Sequence, residues 1–458
     1  MSSIIKRFTR SSSTFKNTNI LLKPAFDLKR VIANKDAYLD SISRRNCLPS
    51  VKEGLEYILN NRELEKNISS SLNQLRAERK KLASTIKGKQ DTQTLDTLKS
   101  YKKQIQDLEV QQSVLAKTLH DAADNLPNLL DPGVPEDPEE GTVVEFINCD
   151  SELHGEQLRP KDSSIYDHKT IAEKLNIVDF STASRVSGSS WYYLKGDGAL
   201  LEQALVQYGL KKARLNGYKM LIPPSIVQSE VVNACGFKPR DQNNEQQVYS
   251  IEGSSLALTA TAEIPLGGLH SSSTFPSKQD FPVKYVGVSR SYRAEAGARG
   301  KDTKGLYRVH EFTKVELFHF TTEENSQEEL EQLKQFQIEI IKDLGLSAKM
   351  INMPTTDLGA PASKKYDCEA WMPGRGAWGE LTSSSNCTDF QSRRLGIKHI
   401  DGESGKLKYV HTLNGTCMAV PRVIVALIEQ FYDPATESIL IPKVLRPYMD
   451  DKERIVKN

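Results

Sequence analysis

From Val51 to Leu126 the chain contains no proline, and its apolar residues recur at the spacing of one helix face in two separate series. The first runs Leu64, Ile68, Leu72, Leu75, Leu82 and Ile86, and the second Leu98, Tyr101, Ile105, Leu108, Leu115 and Leu119. The second series steps by threes and fours and passes over one turn at Gln112, the pattern of a heptad seam. Lys87-Gly88-Lys89-Gln90-Asp91 lies between the two series and suits a tight reversal. Two long helices joined by a short turn must lie antiparallel, so the stretch predicts a helical hairpin. The seam is narrow and the remaining positions are polar, so the hairpin projects into solvent.

The formal net charge is only +2, so any charge that matters must be local. Around the reversal stand Arg76, Arg79, Lys80, Lys81, Lys87, Lys89, Lys99, Lys102 and Lys103, opposed only by Glu78, Asp91 and Asp96. A solvated face is the ordinary reading of such a run. The functional one is a probe for a phosphate backbone, where each neutralised phosphate releases counterions. On that reading Arg79, Lys80, Lys81, Lys87 and Lys89 are the contact residues.

Pro127, then Asp131-Pro132-Gly133-Val134-Pro135 and Pro138, end the hairpin. The boundaries that follow are an arm over 25–130, a linker over 131–145 and a body over 146–458. In the body, β-branched and aromatic runs (Val283–Val288, Val315–Phe320, Leu407–His411) alternate with helical stretches (Gly198–Asn216, Ser326–Leu344, Val420–Tyr432). That order predicts an α+β domain on an antiparallel sheet. Ahead of the arm, Met1–Pro24 carries Lys6, Arg7, Arg10, Lys16 and Lys23 with no acidic residue and is rich in Ser and Thr. This is the composition of a mitochondrial transit peptide, with a disordered basic tail as the alternative. The six cysteines are scattered with no CxxC pair, which argues against zinc or a disulfide framework. No apolar run reaches the roughly 18 residues of a membrane span.

The densest group of chemically able residues is Ser291-Tyr292-Arg293-Ala294-Glu295-Ala296-Gly297, continuing through Gly305-Leu306-Tyr307-Arg308-Val309-His310-Glu311-Phe312. Arginine forks match phosphate oxygens, and the intervening glycines let a backbone approach a ligand. As a bare pattern it could equally be a salt-bridged loop between two strands.

The wording of the segment goes further. Arg293 through Glu316 resembles the second signature motif of class II seryl-tRNA synthetases. Thr259-Ala260-Thr261-Ala262-Glu263-Ile264-Pro265-Leu266 is similar to that family's serine-binding segment. Gly379-Glu380-Leu381-Thr382-Ser383-Ser384-Ser385-Asn386, with Asp389-Phe390-Gln391-Ser392-Arg393-Arg394, resembles its metal and ATP segment. His411-Thr412-Leu413-Asn414-Gly415-Thr416, running to Arg422, resembles the third motif, and Gly217-Tyr218 through Pro224 the first. Phe26–Asn34 resembles the usual opening of the family, so the likeness spans all but the suspected leader.

The resemblance implies an enzyme that activates serine with ATP and transfers it to tRNA-Ser, and a homodimer with Pro224 at its interface; the composition of the leader adds a place in the mitochondrial matrix. It implies ATP contacts from Arg293, Ala294, Glu295, Arg308, Val309, Phe312, Glu380, Leu381, Thr382, Ser383 and Arg422. Arg293 and Arg308 would hold phosphate and Glu295 the adenine amino group. Phe312 would stack on one adenine face, while Arg422 would cover the other side and reach the γ-phosphate. Glu380 and Ser383 would ligate Mg²⁺, a hard cation that takes oxygen ligands. Serine would meet Thr261, Ala262, Glu263, Glu316, Asn414 and Thr416, with Glu316 and Thr416 reading the hydroxyl. Sites of this kind reject analogues lacking the group, because buried partners are left unpaired. The basic arm would grip the long variable arm of the tRNA, by shape and backbone. Pro421 stands where the family usually has a small residue, which predicts an altered start to the last helix. A catalytically silent relative would be expected to have lost Arg293, Glu295, Glu380 or Arg422, and all four are present.

Overall fold

Two helices, α1 (Pro49–Thr85) and α2 (Thr92–Asp124), form the predicted hairpin. They run antiparallel: Gly54 packs on Ala122, Ser69 meets Gln112 and Arg76 meets Glu109. The computed structural model describes residues 26–85, 92–151, 163–239, 246–277, 280–295 and 305–457. The suspected leader, Lys87 and Lys89 of the reversal, and Gly297–Lys304 lie outside the described residues.

The seam buries Ile68, Leu72, Ile105, Leu115 and Leu119. At the turn where the heptads pass over Gln112, its amide donates to the Ser69 hydroxyl at 3.0 Å, a polar layer that fixes which residues of the two helices meet. Leu64, expected in the seam, is 49% exposed. The positions in phase with Ile58 and Ile68 there are Asn61, Arg62 and Glu65, so Leu64 stands on the edge of the stripe.

At its base the hairpin packs on two short helices, Leu28–Ala33 and Lys35–Arg44, through Val31, Tyr38, Ile42, Leu55 and Ile58. It is tied to the body by buried polar groups. Arg45 donates to the carbonyls of Gly359 (3.1 Å) and Ala362 (2.5 Å), and Asn128 to those of Pro361 (2.8 Å) and Cys387 (2.9 Å). Burial brings the Arg45 guanidinium down to about 10, so it stays charged near neutrality, and the surrounding carbonyls satisfy its buried donors.

The body is built on eight strands: β1 (Thr142–Ile147), β2 (Lys219–Leu221), β3 (Val283–Tyr292), β4 (Glu311–Thr321), β5 (Ala348–Asn352), β6 (Lys364–Met372), β7 (Ala377–Asn386) and β8 (His411–Ala419). Their order across the sheet is β1-β5-β6-β7-β8-β4-β3-β2, antiparallel throughout except for the parallel pair β2 and β3 at one edge. The fold is therefore α+β as expected. The first strand begins at Thr142, within the segment read as linker, and Val134 of that segment packs on Ile351 and Met353.

Helices α3 (Asp197–Leu215), α4 (Ser326–Leu344) and α5 (Val420–Phe431) pack on the sheet. Glu328 and Glu329 favour the start of α4, and Gly345 ends it with a left-handed φ of 74°. Alternation along the strands sorts the two faces. Val315 and Leu317 of β4 and Leu413 and Cys417 of β8 join the core with the helices. Each such buried side chain contributes roughly 1.5–3 kcal/mol. Lys314, Glu316 and Phe318, and likewise Asn414 and Thr416, belong to the other face. The helix α5 begins at Val420 with Pro421 in its first turn, where a missing N–H breaks no helical bond, so the proline does not displace Arg422 from the helix.

Candidate active site

Lys314 and Glu316 lie on one face of β4, and Thr416 of β8 is directly opposite Glu316 in the ladder. Glu316 is fully buried. Its Oε2 accepts from Lys314 Nζ at 2.5 Å and from the Thr261 hydroxyl at 3.2 Å, while Oε1 is buried without a protein partner. A buried carboxylate oxygen left open in this way costs free energy unless a ligand donor completes it.

Thr261 and Glu263 come from the turn leading into the short helix Glu263–Gly268. Lys314 Nζ also donates to the Thr261 hydroxyl at 3.1 Å, which places that turn against β4. Glu263 Oε1 accepts from Gln391 Nε2 at 2.7 Å and Asn414 Nδ2 at 2.9 Å. Burial, reinforced by the neighbouring Glu316, pushes its carboxyl up to about 7. Ala262 is fully buried and contributes only backbone.

The second half of the site continues from the first without a wall between them. Thr261, Glu263 and Asn414 line the same cavity as Arg293, Glu295, Arg308, Glu380 and Arg422, and Lys314 and Ser383 also border it. Leu306, Tyr307, Val309 and Phe312 complete its narrower end. Arg293 is anchored through its backbone, N–H to the His310 carbonyl at 3.0 Å, and its guanidinium lies over the Phe312 ring at 5.2 Å. Burial, then the nearby Arg422, lowers the affinity of Arg293 for its proton. Glu295, with a left-handed φ of 44°, accepts from Arg308 Nη1 at 3.0 Å. The adenine-reading role expected of Glu295 thus competes with an ion pair. Ala294 is held by its N–H on the Gln247 carbonyl at 3.1 Å.

Glu380 and Ser383 are three residues apart on β7, a spacing that sends side chains to opposite faces of a regular strand. A bulge at Leu381 removes the difficulty: Cys368 pairs with Thr382 and Glu369 with Glu380, leaving Leu381 unmatched. Glu380 and Ser383 consequently both line the cleft, which Leu381 also borders while packing into the core, and Thr382 is buried. Arg422 Nη1 donates to Glu380 Oε2 at 2.9 Å. Burial alone would raise the Glu380 carboxyl, but Arg422, Lys365 and Arg293 together outweigh it and hold the group well below the usual carboxylate range.

Three side chains escaped the sequence reading. Lys314 carried a signal, since it shares the parity of Phe312 and Glu316 on β4. Gln391 stands within the Asp389–Arg394 motif, which gives no hint of its role, and it orients Glu263. Arg375, whose guanidinium lies over the Tyr307 ring at 4.1 Å, had no sequence signal.

On the arm, Arg79, Lys80 and Lys81 are exposed. Pro224 is exposed beside β2, the edge strand, with Met220 46%, Ile222 83% and Ile226 49% exposed around it. Among the described residues no helix is long and apolar enough to cross a membrane.

Residues 247–431 match the model of the tRNA synthetase class II core domain (G, H, P, S and T). The mitochondrial serine–tRNA ligase of Saccharomyces cerevisiae is 48% identical, over 99% of this chain and 100% of that one. The serine–tRNA ligase of Treponema denticola is 39% identical over 92% of this chain and 98% of that one. The crystal structure of seryl-tRNA synthetase from Pyrococcus horikoshii complexed with ATP superposes with a TM-score of 0.83 at 33% identity, covering 95% of this chain and 100% of that one. With its sheet, its joined cavity and these relatives in agreement, the chain belongs to the serine–tRNA ligase family of class II tRNA synthetases.

Proposed function

We propose that the joined cavity activates serine with ATP and passes it to tRNA-Ser in the mitochondrial matrix. The observation that carries this reading is that Thr261, Glu263 and Asn414 line the same cavity as Arg293 and Arg422, with Lys314 and Thr261 of that lining bonded to the fully buried Glu316, whose Oε1 has no protein partner. A serine carboxylate oxygen attacks the α-phosphorus, the bond to the bridging oxygen breaks, and pyrophosphate leaves. The terminal ribose hydroxyl of the tRNA then attacks the carbonyl carbon of the adenylate, releasing AMP. The first step needs charge stabilisation and alignment more than a proton-transfer group.

In this reading Glu316 and Thr416 take the serine hydroxyl, and Thr261 and Glu263 the ammonium, with Asn414 holding Glu263. Arg293 and Arg308 bind phosphate, Arg422 reaches the γ-phosphate end, and Phe312 supplies a face for adenine once Arg293 swings to the phosphate. Ala294 and Val309 bear on the nucleotide through backbone, and Leu381 and Thr382 support the strand beneath it. The oxygen pair Glu380 and Ser383, brought to one side by the bulge, fits Mg²⁺, which neutralises phosphate charge when bound.

Exposed apolar residues around Pro224 support a homodimer formed along the β2 edge. The exposed cations Arg79, Lys80 and Lys81, continued in sequence by Lys87 and Lys89, support tRNA binding by the arm. The acid-free composition of residues 1–24 and the mitochondrial relatives support import. Charging of tRNA-Ser by the full chain, compared with a chain in which a short loop replaces residues 62–115, tests the whole reading. Charging should fall steeply on removal of the arm while serine activation persists. Unchanged charging would make the arm a spacer.

A further inference from the structure

Behind the cleft, His168 and Glu429 form a buried pair whose side chains are 8% and 1% exposed. His168 opens the short helix His168–Lys174, and Glu429 lies two turns beyond Arg422 on α5. The imidazole Nδ1 is 2.7 Å from Glu429 Oε1, and Nε2 is 3.2 Å from the backbone nitrogen of Leu306. A carboxylate can only accept and a backbone N–H can only donate, so these partners fix one neutral tautomer, protonated at Nδ1. The other Glu429 oxygen accepts from the N–H groups of Gly374 (2.8 Å) and Arg375 (3.1 Å). Gly305, with φ at 86°, makes room: a Cβ there would stand 2.2 Å from His168 Nε2.

The segment that His168 holds is the one that lines the cleft with Leu306, Tyr307 and Arg308. Arg422 holds the same segment from the other end of the helix, donating from Nε to the Tyr307 carbonyl at 3.3 Å. The guanidinium groups of Arg375 and Arg422 lie over the Tyr307 ring at 4.1 and 4.8 Å, and the backbone of Arg375 is held by Glu429. One helix therefore grips the segment at two points, directly through Arg422 and indirectly through Glu429 and His168. Asp167, His168 and Glu429 are near enough to hold a cation, but both imidazole nitrogens have partners and Asp167 caps the helix at Thr170.

We propose that His168 and Glu429 are positioning residues for the nucleotide. They fix where Leu306–Arg308 sits on α5, and through it the placement of Arg308 and of the Tyr307 ring, on which Arg375 packs, in the cleft. Neither touches substrate. The inference rests on the reading of the cleft as the ATP site.

The test uses the full chain, with ATP and serine KM, kcat and thermal midpoint measured for H168N, H168Q and E429Q. Asparagine keeps a donor near the Nδ1 position and loses the acceptor for Leu306, whereas glutamine can return an amide oxygen near Nε2. In E429Q, the acceptor facing His168 is weakened. H168N and E429Q should raise the ATP KM about tenfold while the serine KM stays near wild type, the loss of one buried hydrogen bond read at the nucleotide. H168Q should recover most of that loss. Equal impairment by Asn and Gln, or a lowered thermal midpoint with an unchanged ATP KM, overturns the proposal. If H168N does not fold, E429Q decides it by the same split, and an unchanged ATP KM in folded E429Q overturns it. A wild-type chain with no serine-dependent exchange would instead sink the reading of the cleft itself, a different result.

Discussion

Glu316 and Thr416 face one another across adjacent antiparallel strands, one fully buried and the other 3% exposed. Thr416 borders the cleft and Glu316 lies buried beside it, and two hydrogen-bonding groups so placed can share a single hydroxyl. Glu316→Gln or Thr416→Val should therefore raise the serine KM while leaving ATP dependence normal. Each removes or weakens one buried hydrogen bond, worth on the order of 1–3 kcal/mol when its partner is left unsatisfied. Steady-state exchange kinetics with each substrate varied in turn would show it, and equal impairment toward both would mean the pocket is misplaced.

Arg293→Ala and Arg422→Ala should each abolish most adenylate formation, by about a hundredfold or more, in protein that remains folded. Arg422→Ala has a second consequence, because it removes the largest opposing influence on the buried Glu380 carboxyl. That group should then titrate higher, and activity in the variant should depend on pH in the acid range where wild type is flat. Retention of near-wild-type exchange by either variant would contradict the phosphate assignments.

The pH dependence of serine binding should come from Glu263. Its carboxyl is pushed up to about 7 by burial and then by Glu316, and binding an ammonium group favours the ionised form. Below about pH 7 a proton must first be lost, so the serine KM should rise as pH falls, approaching about tenfold per unit. For stability the sign is the reverse. The raised value favours the folded chain most at low pH, and this contribution is lost as pH rises through about 7. Glu263→Gln should flatten the KM profile between about pH 6 and 8 (roughly one unit either side of the midpoint). A wild-type serine KM constant across that range counts against the ammonium role.

How much of this was legible in the sequence differs by element. The arm and the helix Ser326–Leu344 were readable because strong periodicity and a terminal glycine mark them. The site residues were readable because their motifs are distinctive, yet their geometry was not. The bulge at Leu381 is invisible in Glu380-Leu381-Thr382-Ser383, since nothing local distinguishes an unmatched residue from a paired one. The contact between His168 and Glu429 joins distant segments that no periodicity connects. The pairing of Glu295 with Arg308 and the seat of Arg293 over Phe312 depend on which partner wins when several are within reach. Leu64 was misplaced because the stripe it seemed to join is carried there by Asn61, Arg62 and Glu65.

The β2 edge makes a separate prediction. Ile222→Glu places a charge in the exposed apolar group formed with Met220 and Ile226, and should convert a dimer to monomer in sedimentation velocity. A wild-type chain that sediments as a monomer at micromolar concentration removes the dimer proposal.

Serine-dependent exchange of labelled pyrophosphate into ATP tests the central claim most directly, with serine, alanine and glycine compared in the full chain. The open Oε1 of Glu316 predicts robust exchange with serine. For alanine, which lacks only the hydroxyl, the same feature predicts a kcat/KM lower by about four orders of magnitude. Comparable exchange with alanine and serine, or none with serine, would contradict the account.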